Sequence, residues 1–262
     1  MVSSLLIRKI LDGFDENSLL VILGATATGK TKFSIELAEN IISEKNLNVE
    51  IISADSQLVY KNFNIGTAKP TRDEMHGIKH HLIDVIDPKS EPYKKFSVGE
   101  FQIRATDLIH KIRSEKKIPI VVGGTGLYIQ ALIEGYNFSN DGQKSTQKIF
   151  SENGHLLFNS TVYGLTMDRS KVYNRINDRV LKMFDSGLVD EVKDLLNDGI
   201  PRDSQAMLGI GYREVVDFLD DRFSLEDTID RIQTATRHFA KRQITWFKRM
   251  KYINWVDLSD NI

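Results

Sequence analysis

Apolar residues fall in short runs through the first half of the chain and at helical spacing through the second. Residues 19–23 (Leu-Leu-Val-Ile-Leu), 49–52 and 118–122 are strand-sized runs. Between them, residues 31–43 and a stretch near 98–114 carry apolar positions three and four apart, which predicts helices. Strands that alternate with helices predict βαβ units and a parallel sheet covered on both faces. A further short strand is expected at 161–165. Helical spacing then dominates: Val172, Ile176, Val180 and Met183 share one face, and Gly187 stands where a helix would end. Leu188, Val192 and Leu195 begin another helix that Gly199 and Pro201 close, and a last long helix is expected over 225–250.

Residues 137–159 break this pattern, being polar and rich in Asn, Ser, Gln, Gly and Lys. They read as a loop or small excursion. The chain therefore divides into a core segment 1–136, the excursion 137–160 and a remainder 161–262 that returns to the core. Its 262 residues, 41% hydrophobic and 27% charged, suit a globular fold and argue against disorder. No apolar run is long enough to span a membrane, and the N-terminal Leu5-Leu6-Ile7 is too short for a secretory core, so a cytoplasmic protein is expected. The absence of cysteine excludes disulfides and every Cys-ligated metal centre. No feature calls for a partner subunit, and a monomer is expected.

The strand at 19–23 runs into Gly24-Ala25-Thr26-Ala27-Thr28-Gly29-Lys30-Thr31, and a helix follows. This is the G-x-x-x-x-G-K-[ST] pattern in the context it requires. The glycines let backbone N–H groups turn towards an anion, and the helix N-terminus adds partial positive charge. Lys30 would reach outer phosphate oxygens, and the Thr31 hydroxyl would help hold Mg²⁺. The acidic residue at a strand end is Asp55, in Ser53-Ala54-Asp55-Ser56, whereas the strand at 118–122 ends in Gly123-Gly124-Thr125-Gly126. Asp55 is either a magnesium-positioning group or a general base facing the phosphate site, and spacing leaves both open.

The net charge of −1 hides a local basic surface. From residue 231 to 251 the chain has Arg231, Arg237, Lys241, Arg242, Lys248, Arg249 and Lys251 with no acidic residue. Ile232, Phe239, Trp246 and Met250 supply a packing side, while Arg237, Lys241 and Lys248 fall together on another. A cationic helix face of this kind favours contact with a phosphate backbone.

Seven segments in order then carry a family resemblance. They are Gly24 to Thr31, Ser53-Ala54-Asp55-Ser56-Gln57-Leu58-Val59-Tyr60, Ile65-Gly66-Thr67-Ala68-Lys69-Pro70, and His80-His81-Leu82-Ile83-Asp84. Gly123-Gly124-Thr125-Gly126-Leu127-Tyr128, Ile210-Gly211-Tyr212-Arg213-Glu214 and Lys241-Arg242-Gln243-Ile244-Thr245-Trp246-Phe247 complete the set. Together they resemble the tRNA dimethylallyltransferases, or tRNA isopentenyltransferases, of bacterial type. The resemblance implies an α/β fold, a P-loop NTPase-like parallel sheet flanked by helices, with helical C-terminal elements and a reduced insertion. It implies transfer of a dimethylallyl group from dimethylallyl diphosphate to the exocyclic amine of the adenine 3′ of the tRNA anticodon, assisted by Mg²⁺.

Carried over position by position, the resemblance makes Asp55, Thr125 and Lys30 catalytic. The loop Gly24, Ala25, Thr26, Ala27, Thr28, Gly29, Lys30 and Thr31, with Arg175 and Arg179, would hold the diphosphate. Contacts to the tRNA anticodon loop would come from Asp55, Ser56, Gln57, Leu58 and Thr125. Gly211, Tyr212, Arg213, Arg237, Lys241, Arg242, Gln243, Trp246 and Lys248 would add to them. His80 and His81 are adjacent, so their side chains diverge and structural hydrogen bonding is expected rather than a metal pair. The departure is the excursion: relatives carry a helical insertion of several dozen residues after the position of Gly135, and here only residues 136–162 separate Gly135 from Tyr163. A reduced tRNA clamp is expected. Competing readings are a P-loop small-molecule kinase, prenyl transfer to free AMP, and a non-catalytic RNA-binding remnant.

Overall fold

The structure, a computed structural model, describes residues 2–138, 144–148 and 156–259. The elements run α1 (Val2–Asp12), β1 (Leu19–Gly24), α2 (Lys30–Lys45), β2 (Val49–Ala54), β3 (Lys79–His81), α3 (Val98–Ser114), β4 (Ile118–Gly123) and α4 (Gly126–Glu134). They continue with β5 (Tyr136–Phe138), β6 (Lys144–Lys148), a 3₁₀ turn at Leu157–Asn159, β7 (Ser160–Thr166), α5 (Arg169–Asp185) and α6 (Leu188–Asn197). The last are α7 (Tyr212–Leu219), α8 (Leu225–Phe247) and β8 (Asn254–Asp257).

Six strands form one sheet in the order β3-β2-β4-β1-β7-β8, and every pairing is parallel. The apolar runs of β1 and β2 are buried along their whole length, as a sheet covered on both faces demands. Alternation along β1 sorts its side chains. Leu19, Val21 and Leu23 join the cluster formed with α3, α4 and α6 to α8; Leu20 and Ile22 join the one formed with α1, α2 and α5.

Of the predicted strands, all four are present, lengthened by one or two residues. The last helix is shorter than expected. It ends at Phe247 with Lys248 as its C-cap, and Met250 lies beyond it, because the chain must turn there to deliver β8 to the sheet edge beside β7. Of the expected packing positions Ile232 and Met250 are buried and Phe239 and Trp246 half-buried, and the buried side of α8 itself is Thr228, Ile232, Ala240, Gln243 and Phe247. The segment 137–160 contains β6, which pairs antiparallel with β5; residues 139–143 and 149–155 lie outside the described residues. His80 and His81 take separate partners, His80 Nδ1 meeting the Ile78 carbonyl at 2.8 Å and His81 Nε2 meeting Glu50 Oε2 at 2.5 Å. Burial pushes the His80 imidazole below its ordinary pKa. No helix among the described residues is long and apolar enough to cross a membrane.

Candidate active site and nucleic-acid face

In an open parallel sheet, the carboxyl ends of the strands border the crevice where ligands bind. Here that edge carries the phosphate loop after β1, Asp55 after β2, Gly124-Thr125 after β4 and the start of α5 after β7. Strand order, not sequence proximity, brings the four together.

The loop after β1 turns through left-handed backbone at Ala27 (φ 64°) and Gly29 (φ 90°), the second of which favours glycine. Thr28 Oγ1 donates to the Ala25 carbonyl at 2.8 Å and Lys30 Nζ donates to the same oxygen at 2.8 Å. Burial lowers the Lys30 pKa to about 8; nearby Asp55 opposes the shift and Arg179 adds to it. Among the described residues the amine has one carbonyl for a hydrogen-bond partner and no carboxylate in contact. Thr31, the next residue of α2, is exposed.

Arg175 and Arg179 lie one turn apart on α5 and converge on this loop. Arg179 Nη1 donates to Thr26 Oγ1 at 3.4 Å, and Arg175 Nη1 sits 4.0 Å from where a Cβ on Gly29 would lie. Burial first, and Arg175 second, push the Arg179 pKa down, while Glu74 opposes both. Two guanidinium groups and an ammonium thus concentrate positive charge at one glycine loop, chemistry suited to a polyanion.

Asp55 ends β2 in a turn, with Oδ1 accepting the Gln57 N–H at 2.8 Å. Among the described residues its Oδ2 has no hydrogen-bond partner. Thr125 Oγ1 accepts the Ser56 N–H at 3.1 Å and lies 3.4 Å from Ser56 Oγ, while Thr125 N–H donates to the Ala54 carbonyl at 3.1 Å. Thr125 therefore braces the turn that presents Asp55. Gly123 has to be glycine, because a Cβ there would lie 2.2 Å from the Ala54 carbonyl oxygen. Ser56, Gln57 and Leu58 are half-buried beside this turn. A Mg²⁺ site of protein ligands alone is absent: no group of three or more His, Asp or Glu gathers among the described residues. The exposed Thr31 hydroxyl suits instead an ion that takes most of its ligands from phosphate oxygens and water.

The remaining site candidates separate by exposure. Lys241 and Arg242 are exposed on α8 and Lys248 at its C-cap, and Arg213 is exposed on α7, though paired with Glu214 at 2.7 Å. With His238, Thr245, Trp246 and Arg249, Lys241 and Arg242 line a cavity of about 490 Å³. Arg249 belongs to the basic stretch read from the sequence; His238 and Thr245 were not among the sequence-derived candidates, although the spacing 238, 241/242, 245, 249 is that of one helix face. Arg237 is turned to α5 instead, donating to Asn177 Oδ1 at 2.7 Å and to Thr234 Oγ1 at 2.7 Å. Tyr212 is core: only 1% exposed, its ring lies tilted against Phe63 with centroids 4.7 Å apart, and its hydroxyl donates to Glu191 Oε1 at 2.6 Å. Gly211 (φ 97°) starts α7, its N–H donating to Glu214 Oε2 at 2.8 Å. Gln243 is buried with both ends of its amide bonded inside the protein. Neither Tyr212 nor Gln243 presents its side chain to a ligand on the outer face; burial is the reason.

Glu191 was not anticipated. It accepts the backbone N–H groups of Asn64, Ile65 and Gly66 at 2.8–3.3 Å as well as the Tyr212 hydroxyl, and so pins the loop after the Asp55 turn. A lone Glu on an amphipathic helix carries no signal of this in sequence.

Fold and site define an α/β protein of the phosphate-loop type with a basic helix beside the phosphate site. Family models described as IPP transferase match residues 58–155 and 142–250, and one described as isopentenyl transferase matches residues 17–91. A tRNA dimethylallyltransferase of Bacillus anthracis is 38% identical over 295 aligned positions, covering 92% of this chain and 90% of that protein. The solved tRNA isopentenylpyrophosphate transferase of Bacillus halodurans superposes with a TM-score of 0.80 at 37% identity, covering 93% of this chain and 91% of that one. The Staphylococcus epidermidis tRNA Δ2-isopentenylpyrophosphate transferase gives 0.77 at 32%, covering 92% and 93%. The chain belongs to the tRNA isopentenyltransferase family. The alignment with the Bacillus anthracis relative is longer than the 262-residue chain, so that relative has stretches this chain lacks. The two IPP transferase matches meet within 142–155, inside the shortened excursion.

Proposed function

We propose that the protein transfers a dimethylallyl group from dimethylallyl diphosphate to the exocyclic amine of the adenine 3′ of the anticodon in tRNA. The observation that carries this reading is that the carboxyl ends of β1 and β2 bring a cationic phosphate loop and the Asp55 carboxylate to one edge of the sheet, with Lys241 and Arg242 on the helix bonded to that loop through Gln243. Membership of the family supports it. None of the relatives named above is a kinase, and none acts, by its name, on a free nucleotide.

In this reading the diphosphate of the donor lies against the loop from Gly24 to Thr31, with Lys30, Arg175 and Arg179 meeting its negative charge. The amine nitrogen attacks the allylic carbon bonded to the diphosphate oxygen. The N–C bond forms, the C–O bond breaks, and diphosphate carries away the electron pair. Charge grows on the leaving group as the bond breaks, so fixed cations and backbone dipoles lower the barrier. Asp55 Oδ2 takes the proton from the amine, while Oδ1 stays bound to Gln57 and holds the carboxylate in one orientation. Thr125 keeps that turn in place. Adenine amines are weak nucleophiles, so alignment contributes as much as basicity. Mg²⁺ on the donor phosphates, held on the protein side by Thr31, would supply further charge neutralisation. All these side chains come from one chain, so a monomer suffices, and a tRNA acceptor calls for a cytoplasmic protein.

The direct test mixes the purified chain with labelled dimethylallyl diphosphate, Mg²⁺ and either unmodified tRNA or AMP. Label is expected in tRNA. Label in AMP alone would replace the acceptor by a free nucleotide, and label in neither would end the transferase reading. The double variant Lys241→Gln/Arg242→Gln should weaken tRNA binding several-fold at low salt. It should also flatten the plot of log Kd against log salt by about 1.5, as two lost phosphate contacts require. An unchanged slope would show that this face is merely solvated.

A further inference from the structure

We propose that Gln243 is a positioning residue, a strut through which the basic helix α8 fixes the phosphate loop and the Thr125 loop in register. The proposal rests on the function inferred above and adds a residue to it.

Gln243 directly follows Lys241 and Arg242, which are exposed, yet is itself only 7% exposed on the inner side of the helix. Its Oε1 accepts the Thr26 N–H at 2.8 Å, and its Nε2 donates to the Gly124 carbonyl at 2.9 Å. Thr26 lies in the middle of the loop after β1, and Gly124 lies in the loop after β4. A backbone N–H can only donate and a carbonyl can only accept, so the orientation of the amide is fixed by its partners. A neutral side chain that accepts at one end and donates at the other is required, and Asn is one carbon too short.

The fit is built into the neighbouring loop. A Cβ on Gly124 would lie 2.4 Å from Gln243 Nε2, and one on Gly126 would lie 2.4 Å from Trp246 Cδ1. Gln243 and Trp246, one turn apart on α8, thus seat on the two glycines that flank Thr125. Thr125 in turn holds Ser56 beside Asp55. On the other side, Thr26 Oγ1 is the acceptor for Arg179. One side chain therefore bears on the cations around the donor phosphates and on the turn that presents the base. The same helix shows its opposite face to solvent. Spending the Thr26 N–H on Gln243 also sets which loop amides remain to face an anion.

The experiment uses the full chain and inorganic diphosphate as the probe, by calorimetry, together with transfer kinetics. Gln243→Met keeps the volume and removes both hydrogen bonds. It should weaken diphosphate binding about tenfold, raise the KM for dimethylallyl diphosphate and lower kcat, with tRNA affinity unchanged. Gln243→Glu provides a readout that a packing role would not move. Its carboxylate can accept from Thr26 but donates to Gly124 only when protonated. The ratio of its diphosphate affinity to that of the wild type, at the same pH, should rise as pH falls from 8 to 5. A flat ratio, or wild-type diphosphate affinity in Gln243→Met, overturns the strut alone. Loss of tRNA affinity with diphosphate binding intact also overturns it and makes Gln243 an RNA contact. Failure of the wild type to bind diphosphate would overturn the function proposed above and the strut with it.

Discussion

Replacing Asp55 by Asn should lower the transfer rate by about 10²–10⁴-fold, the range for losing a positioned general base, while inorganic diphosphate binds within about threefold of the wild type. The substitution is close to isosteric, and the new side-chain carbonyl can still accept the Gln57 N–H that Oδ1 accepts at 2.8 Å. The turn between β2 and the Thr125 brace therefore persists, and what disappears is the basic oxygen that Oδ2 supplies. A structural lesion would look different. It would release Ser56 from Thr125 and lower thermal stability, whereas Asp55→Asn should unfold at the wild-type temperature. If binding and turnover fell together, Asp55 would be an organiser of the bound phosphates and metal, not the base. Single-turnover transfer with saturating donor, set beside diphosphate calorimetry, separates the two roles.

Much of the fold was legible because a parallel sheet covered on both faces writes itself as uninterrupted apolar runs. Leu19 to Leu23 had no other plausible place. The phosphate loop was equally plain, since its glycines, Lys30 and Thr31 are constrained by local backbone geometry. Elements whose partners lie far away in sequence were not. β8 reads Asn-Trp-Val-Asp and has one half-buried position, and only the exposed flank of β7 makes it a strand. The limit of α8 at Phe247 follows from the same constraint. Spacing identified the basic positions of that helix but could not rank them: Arg237 and Lys241 are one turn apart, and Asn177 on α5 takes the first while solvent keeps the second.

The same gap between type and placement governs the site. Tyr212 and Gln243 both belong to segments that resemble the family's, and both are polar enough to suggest surface contacts. Tyr212 instead ties α7 to Glu191 and the loop at 64–66, and Gln243 ties α8 to two strand ends. Both side chains are spent on contacts inside the protein. A segment can be kept for what it holds in place as much as for what it touches, and sequence alone shows only that it is there. The short excursion at 137–160 leaves this inner framework whole. Its described strand β6 pairs with β5 alone, and among the described residues only Ser160, which opens β7, enters the six-stranded sheet from it.

Replacing Lys30 by Met should cost donor affinity and yet raise thermal stability, two effects with one cause. Burial holds the Lys30 pKa near 8, against 10.5 for an unhindered lysine. The folded chain therefore binds fewer protons than the unfolded chain between about pH 8 and 10.5, so stability rises with pH across that window. Below pH 8 the charged amine is carried at its full cost, a few kcal/mol at most by the size of the shift. Removing it should raise the melting temperature at pH 7 by roughly 5 °C, and the wild type should approach the variant as pH climbs past 8. A bound diphosphate reverses the balance, because its charge restores the ammonium. Loss of that charged contact should weaken inorganic diphosphate binding by about 10–100-fold. Referred to Lys30→Met at each pH, to cancel the titration of diphosphate itself, the wild-type advantage should hold below pH 8 and shrink above it, where binding must take up a proton. Parallel melting curves across pH, or a wild-type advantage that ignores pH, would show that Lys30 is a solvated surface amine and that the anion sits elsewhere.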